Sequence, residues 1–366
     1  MRRFNLILLP LVLLLAACGG TPTASSTADS GSATSTATAG TVGSTTADST
    51  ATMGSTSSAA AGAHAITMAM PYIPNVQFAH FYVAQQKGYY AQEGLKVNFD
   101  YNYETDVVQR IAQGSVQFGL ASGDSVLLAR AQGLPIITIA TNSQKFPVVF
   151  FSKADQNITT PADLKGKTVG IPMRQGASYI GLLAMLYANK LQESDLKVQE
   201  VGFAQVQAVS QGKVQVGIGY GNNEPLLLEQ QGIKVNVIRV ADYLPLASDG
   251  LLTNETIVKD QGDVVRAFVR ATLRGMQDVL ANPDAAFNTS LEFIPELKKA
   301  DAATQQFQRK VLQATLDYWQ SDATKQHGIG YTDLASWQIT AKFLRDSKLL
   351  KSDVDVTKAF TNDFLK

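Results

Sequence analysis

The stretch VQRIAQGSVQFGLASG at residues 108–123 recurs, with changes, as VQAVSQGKVQVGIGYG at residues 206–221. Half of the aligned positions are identical, and half of the others exchange one apolar residue for another. Each copy predicts a helix that ends at Gln-Gly, a buried strand (116–121 and 214–219), and a polar turn that opens a second helix. Two copies of this unit predict two similar α/β lobes.

The turns that follow the two repeated strands differ in sequence. Open α/β sheets bind ligands beyond the carboxyl ends of their strands, so both turns predict a ligand site. The first turn offers Ser122 and Asp124, which also suit the ordinary capping of a helix. The second offers Tyr220, Asn222 and Glu224, and the Glu224 carboxylate is placed to accept hydrogen bonds from a ring N–H or a hydroxyl.

The N-terminal region predicts secretion and anchoring. Arg2 and Arg3 precede a short apolar run that ends in Leu-Ala-Ala-Cys18, which is typical of a signal peptide over residues 1–17. The ending resembles a bacterial lipobox, in which Cys18 carries diacylglycerol on the extracytoplasmic side of the cell membrane. Residues 18–64 combine this Cys with a tract of Ser, Thr, Ala and Gly that predicts a flexible leash.

The composition excludes several classes of partner and site. Without Arg2 and Arg3 the chain has 29 basic and 31 acidic residues and no basic run, so nucleic acid is not an expected partner. Cys18 is the only cysteine, which excludes a disulfide framework and a cysteine nucleophile from the folded part. The three histidines lie far apart in sequence, and we expect neither a metal site nor a cofactor.

The strand and helix pattern predicts two lobes with two connections between them. Lobe 1 comprises residues 65–148 and 247–366, and lobe 2 comprises residues 149–246. The first crossing is placed at Gln144 to Phe151 and the return crossing near Asp242 to Leu252. Two crossings predict a hinge that lets the lobes close over a ligand. Trp319 and Trp337, on late helices, are interpreted as core residues.

Several motifs resemble one known family when they are taken together in this order. The chain is similar to the thiamine-pyrimidine-synthase-like family of substrate-binding proteins, whose members deliver thiamine pyrimidines, riboflavin or sulfonates to ABC importers. The resemblance covers about residues 66–350 and implies a type II periplasmic-binding-protein fold, an α/β fold in which two strands join the lobes. It rests on Tyr72-Ile-Pro-Asn75, Phe81-Tyr-Val-Ala84, Lys87-Gly-Tyr-Tyr90, Glu93-Gly-Leu95, residues 119–124, residues 163–170 and Glu224.

The departures from the family pattern favour one ligand. Pyrimidine-binding relatives have a His where this chain has Phe78 and a Trp where it has Tyr72. The enzyme of this family also depends on a Cys-rich metal motif, which this chain lacks. An aromatic side chain at the His position suits a larger flat ring, and riboflavin fits best because its isoalloxazine offers a wide apolar face and a polar edge.

The remaining candidate residues have alternative structural roles. Tyr72 is predicted to stack on the heterocycle, whereas Asn75 bonds a ring edge or caps a helix. Phe78 is a ligand wall or a core residue. The turn with Gln175, Ser178 and Tyr179 opens a helix whose free N–H groups hold the anion in sulfonate-binding relatives and here suit a hydroxyl chain equally. Asp249 is a weaker candidate in the return crossing.

The resulting hypothesis is a monomeric, lipid-anchored solute-binding protein without enzymatic activity. It binds riboflavin between the lobes, and the closed form is recognised by the permease subunits of an ABC importer. Alternatives in the same class are a thiamine pyrimidine precursor and an aliphatic sulfonate-like anion. An alternative of a different class is an enzyme of pyrimidine synthesis.

Overall fold

The computed structural model describes residues 63–366. The predicted signal peptide, Cys18 and nearly all of the predicted leash lie outside the described residues. Residues 63–366 belong to one compact unit. Within residues 63–366, no helix combines the length and the apolar character that a membrane span requires.

The described part of the chain contains two five-stranded sheets. The first has the order β2-β1-β3-β10-β4 and the second the order β7-β6-β8-β5-β9. The strands are β1 His64–Met70, β2 Leu95–Tyr101, β3 Phe118–Ser122, β4 Ile136–Thr141, β5 Val148–Lys153, β6 Thr168–Ile171, β7 Lys197–Glu200, β8 Val216–Tyr220, β9 Val235–Arg239 and β10 Asp249–Asn254.

Helices pack on both sheets and complete the two α/β lobes. The helix α9 carries one apolar stripe that is buried against α1, and the C-terminal helices extend the core. The helices are α1 Ala79–Gln86, α2 Tyr89–Gln92, α3 Glu104–Ala112, α4 Gly123–Arg130, α5 Gly176–Ala188, α6 Gln205–Ser210, α7 Glu224–Gln230, α8 Glu255–Asp260, α9 Gly262–Ala281, α10 Pro283–Phe293, α11 Pro295–Lys298, α12 Ala302–Tyr318, α13 Asp322–His327 and α14 Leu334–Asp346.

The two copies of the repeat occupy equivalent places. Each repeated strand, β3 or β8, is the central strand of its sheet, with a parallel neighbour on one side and an antiparallel neighbour on the other. Gly114 and Gly212 both have φ of 71°, the left-handed conformation that ends α3 and α6 at the predicted Gln-Gly. The two α/β lobes that the repeat predicts are therefore present.

The repeated strands begin two residues later than predicted, for the same reason in both lobes. The side chain of Gln117 accepts a hydrogen bond from the backbone N–H of Thr67, and that of Gln215 accepts one from Thr168. In each case the glutamine side-chain oxygen accepts a hydrogen bond that the backbone carbonyl of a strand residue would otherwise accept. The apolar pattern alone does not reveal that a side chain replaces the backbone here.

The predicted positions of the two crossings are partly wrong. Residues 148–151 belong to β5, which lies inside the second sheet between β8 and β9, so the connection between sheets is the preceding segment 142–147. Likewise β10 lies inside the first sheet, and the return connection is residues 240–248. Both strands are buried on both faces, and such a run reads as continuous apolar sequence. The boundaries of the lobes remain a prediction.

Candidate functional site

A cavity of about 230 Å³ is lined by residues of both lobes. The first lobe contributes Leu120 and Ala121 at the end of β3, and Asp249 at the start of β10. The second contributes Gly219 and Tyr220 at the end of β8. The cavity therefore lies beyond the strand ends, where an open α/β sheet binds its ligand.

The structure brings most of the predicted site residues together around this cavity and leaves four of them outside its lining. The predicted residues that line the cavity are Tyr72, Phe78, Gln175, Ser178, Tyr220, Asn222, Glu224 and Asp249. The predicted residues outside the lining are Asn75, Ser122, Asp124 and Tyr179.

Asn75 and Tyr179 have structural partners instead. The Oδ1 atom of Asn75 accepts a hydrogen bond from the backbone N–H of Gln77 at 3.0 Å, which caps the short helix that follows. The Tyr179 hydroxyl donates to Glu193 at 3.4 Å, and its ring lies 5.9 Å from the guanidinium carbon of Arg174. Of the two roles considered for Asn75, the structure contains the cap.

The first turn is directed into the protein. Both the backbone N–H and the hydroxyl of Ser122 donate to Oε1 of Glu104, at 2.9 and 2.6 Å. Asp124 is buried in the first turn of α4, and its Oδ1 atom has no hydrogen-bond partner in residues 63–366. Burial, reinforced by the neighbouring Glu104, raises the pKa of Asp124 from 3.8 to about 7. Glu104, which the repeat pattern does not single out, lines the cavity in place of these two residues.

The second turn faces the cavity. The Glu224 carboxylate accepts hydrogen bonds from the backbone N–H of Tyr220 at 2.7 Å and from Asn223 Nδ2 at 3.3 Å. A Cβ atom at Gly219 would lie 2.6 Å from Glu224 Oε2, so only glycine permits this position of the carboxylate. Asn222 is buried and donates to Thr315 of α12 at 2.9 Å, which joins the second turn to the first lobe.

Aromatic side chains from both lobes surround the cavity. Tyr103, from the first lobe, stacks on Phe203, from the second, with ring centroids 5.5 Å apart and planes 9° apart. Both rings are about half exposed. Tyr72 makes a tilted contact with Phe203 at 6.4 Å. The seven lining aromatic residues are Tyr72, Phe78, Tyr103, Phe203, Tyr220, Tyr318 and Trp319.

The sequence reasoning missed four of these aromatic residues or gave them another role. Trp319 is buried, as its core interpretation requires, but it also lines the cavity with its neighbour Tyr318. Tyr103 and Phe203 each stand just before the helix that opens a copy of the repeat. In the register of the repeat, Tyr103 aligns with Val201 and Phe203 aligns with Thr105, so the repeat does not pair these two aromatic positions.

The cavity is acidic. Glu104, Glu224 and Asp249 line it, and burial is the main cause that raises the pKa of each of these carboxyls. Burial and the nearby carboxylates also raise the pKa of the Tyr220 phenol well above its usual range. Among the described residues, those that line the cavity include no Lys, Arg or His. In residues 63–366, no three His, Cys, Asp or Glu side chains are grouped as a metal site requires.

Comparison with solved structures agrees with this architecture. The alkanesulfonate-binding protein SsuA from Xanthomonas axonopodis pv. citri superposes with a TM-score of 0.63 at 14% sequence identity, covering 83% of this chain and 100% of that one. The periplasmic aliphatic sulphonate binding protein SsuA from Escherichia coli gives a TM-score of 0.62 at 14% identity, covering 81% and 97%. At this identity the likeness establishes the periplasmic-binding-protein fold alone.

Sequence relatives are closer than these structures. The riboflavin-binding protein RibY of Chloroflexus aurantiacus is 50% identical over 303 residues, which covers 82% of this chain and 86% of that protein. The formylaminopyrimidine-binding protein of Halalkalibacterium halodurans is 29% identical over 81% of this chain and 89% of its own length. Residues 75–286 match the model of the family described as NMT1/THI5 like. The chain belongs to the NMT1/THI5-like family.

Proposed function

We propose that the protein is the solute-binding component of an ABC importer and that its ligand is riboflavin. The observation that carries this proposal is the cavity between the lobes, which combines aromatic walls with carboxyls and, among residues 63–366, has no cationic side chain in its lining. An isoalloxazine ring stacks on aromatic side chains, and its ribityl hydroxyls donate to carboxylates. The relative that is 50% identical bears the name of a riboflavin-binding protein, which supports the same ligand.

The proposed role involves binding without chemistry. Tyr72 and Phe78 provide flat apolar surface from the first lobe, and Glu224 provides an acceptor from the second. A ligand that contacts both lobes favours the closed arrangement, which the permease subunits then recognise. We include in the proposal a diacylglycerol anchor on Cys18 and an extracytoplasmic location, both of which follow from the sequence pattern, and a monomeric state.

The direct test is fluorescence titration of the folded part, residues 63–366, with riboflavin. We expect the flavin fluorescence to be quenched by stacking, with saturation at micromolar protein or below. The formylaminopyrimidine serves as the competing ligand. Unquenched flavin together with tight binding of the pyrimidine would contradict the proposed ligand and retain the binding function.

A thiamine pyrimidine is the second candidate ligand. The formylaminopyrimidine-binding relative matches most of this chain, and a cavity carboxylate such as Glu224 can accept a hydrogen bond from an aminopyrimidine. Phe78 argues against it because that side chain is apolar and 3% exposed, and therefore offers no polar group to a small ring. The competition experiment distinguishes the two ligands.

Anchoring is tested separately from binding. We expect the full chain to incorporate labelled fatty acid and to fractionate with membranes when it is expressed in a bacterial host. The Cys18→Ser variant should lose both properties while the riboflavin affinity of the folded part stays the same. A soluble, unlabelled wild-type chain would contradict the anchor but not the ligand.

A further inference from the structure

We propose that the cavity accepts the uncharged vitamin and rejects its phosphate monoester, riboflavin 5′-phosphate, because of the charge of the phosphate. The inference rests on the proposed function. It concerns which chemical form of the ligand enters the site, and it assigns the discrimination to three residues, Glu104, Glu224 and Asp249.

Carboxyls from both lobes line the cavity. Glu104 and Asp249 belong to the first lobe and Glu224 to the second, so acidic groups face the cavity from both sides. A terminal phosphate held in this cavity would therefore share it with carboxyls from both lobes. Like charges placed side by side in a binding site strongly disfavour the wrong ligand.

The cavity lining offers no cation to compensate the charge of a phosphate. In the part of the chain that the structure describes, none of the lining residues is Lys, Arg or His. Arg174 precedes the lining residues at 175–178, but its guanidinium pairs with the carboxylates of Glu193 and Glu200. Arg239 acts on the pKa of the lining residue Tyr318 in the lowering direction, but Arg239 itself is exposed and is not a lining residue. A phosphate in the cavity would therefore lose its hydration without gaining a charged partner.

The cavity lining also contains a polar group that suits a neutral ligand. Asn222 lines the cavity, is 5% exposed, and its Oδ1 atom has no hydrogen-bond partner in the described part of the chain. A buried amide oxygen of this kind requires a donor, which an uncharged ring N–H or hydroxyl supplies and a phosphate dianion does not. The amide and the carboxyls therefore favour the same class of ligand.

The selectivity also implies that hydrolysis of the phosphate monoester precedes binding to this protein. Where the available vitamin is the phosphate monoester, a phosphomonoester hydrolase outside the membrane must act before uptake. Water attacks the phosphorus, the P–O bond to the ribityl carbon chain breaks, and the products are the free 5′-hydroxyl and inorganic phosphate. Such a reaction would supply the form that this cavity accepts.

The test compares three ligands by titration at one pH and ionic strength: riboflavin, riboflavin 5′-phosphate and an uncharged 5′-ester of riboflavin. We expect the phosphate to bind at least about 100-fold more weakly than riboflavin, and the uncharged ester to bind within about tenfold of it. The ratio of the Kd for riboflavin 5′-phosphate to the Kd for riboflavin should decrease in the variants Glu104→Gln, Glu224→Gln and Asp249→Asn. The matched control is Glu296→Gln, an exposed acid of α11 that is not a lining residue.

The outcomes separate the two proposals. Comparable affinity for riboflavin and its phosphate, or equal rejection of the phosphate and the uncharged ester, would overturn this inference and leave the proposed function intact. An unchanged ratio in all three carboxyl variants would also overturn it. If none of the three flavins binds, the proposed function fails and this inference fails with it.

Discussion

The two copies of the repeat share a scaffold but use their turns differently. In the first lobe Ser122 and Asp124 turn inward, and Glu104 on the preceding helix lines the cavity. In the second lobe Tyr220 and Glu224 themselves line the cavity. A strand-to-helix turn can therefore serve either the fold or the ligand. The difference predicts that substitutions in the first turn change stability and that those in the second change affinity.

The largest expected effect belongs to Asp124. Burial and Glu104 raise its pKa from 3.8 to about 7, so the folded protein holds this proton more tightly than the unfolded chain does. The protonated Asp124 carboxyl therefore contributes fully to the free energy of unfolding below about pH 4, and this contribution is lost as the pH rises through about 7. Asp124→Asn should raise the free energy of unfolding at pH 8 by about 2–4 kcal/mol, without changing ligand affinity.

Denaturant unfolding at pH 5 and pH 8 measures this effect. The variant should show a smaller loss of stability between the two pH values than the wild type. Asp263→Asn is the control, because Asp263 is an exposed acid in the first turn of α9. A destabilised Asp124→Asn at pH 8 would show that the carboxylate has a favourable partner and that the first turn is not merely a buried cap.

Substitution of Glu224 should give the next largest effect, which we expect on riboflavin affinity. Its carboxylate is held by the backbone N–H of Tyr220 and lines the cavity. Glu224→Ala should weaken riboflavin binding by roughly 1–3 kcal/mol because it removes a buried acceptor. Tyr72→Ala should have an effect of similar size through lost stacking. Calorimetric titration checks both, with thermal unfolding as the control, and unchanged affinity in both variants would place the ligand elsewhere in the cleft.

Much of the fold follows from the repeat, but less of the site does. The Gln-Gly helix ends and the central strands recur in both copies, and this recurrence was enough to predict two similar lobes. The same recurrence led to the expectation that both turns face the ligand. In the first turn, however, Ser122 is engaged by Glu104, and a contact between residues 18 positions apart leaves no local pattern.

Other parts of the site depend on contacts between the lobes. Tyr103 and Phe203 come together only because the lobes face each other, so neither position looks special within its own lobe. Glu104 at the start of α3 resembles an ordinary helix-stabilising acid, because negative side chains are favoured in any first turn. By contrast, Asn75 had a local explanation as a cap, and local explanations can be recognised in sequence.

Asn75 offers a test within the first lobe that involves stability alone. Its side chain accepts from Gln77 at 3.0 Å and lies outside the cavity lining. Asn75→Ala should lower the free energy of unfolding by about 1 kcal/mol and leave riboflavin affinity unchanged. Asn75→Asp retains the accepting oxygen and is the matched control. Weaker binding by Asn75→Ala with undiminished stability would restore its predicted role at the ligand.

The smallest expected effect joins the two lobes through Tyr103 and Phe203. Their rings stack on each other at the cavity, so removing either ring removes the same contact. Tyr103→Ala and Phe203→Ala should each accelerate riboflavin dissociation by about three- to tenfold, equivalent to 0.5–1.5 kcal/mol. The double variant should dissociate about as fast as the faster single variant, because the two substitutions remove one shared interaction.

Stopped-flow dissociation measures this cycle, with Leu334→Ala as the control, since Leu334 is an exposed apolar residue of α14 outside the cavity lining. Additive effects would mean that each ring contacts the ligand independently and that the pair does not hold the lobes together. Non-additive effects would mean that the Tyr103–Phe203 contact stabilises the closed form. A ring that contacts only the opposite lobe slows dissociation of the ligand by keeping the cleft closed. The lobes would then differ in their turns and be matched in the aromatic pair that joins them.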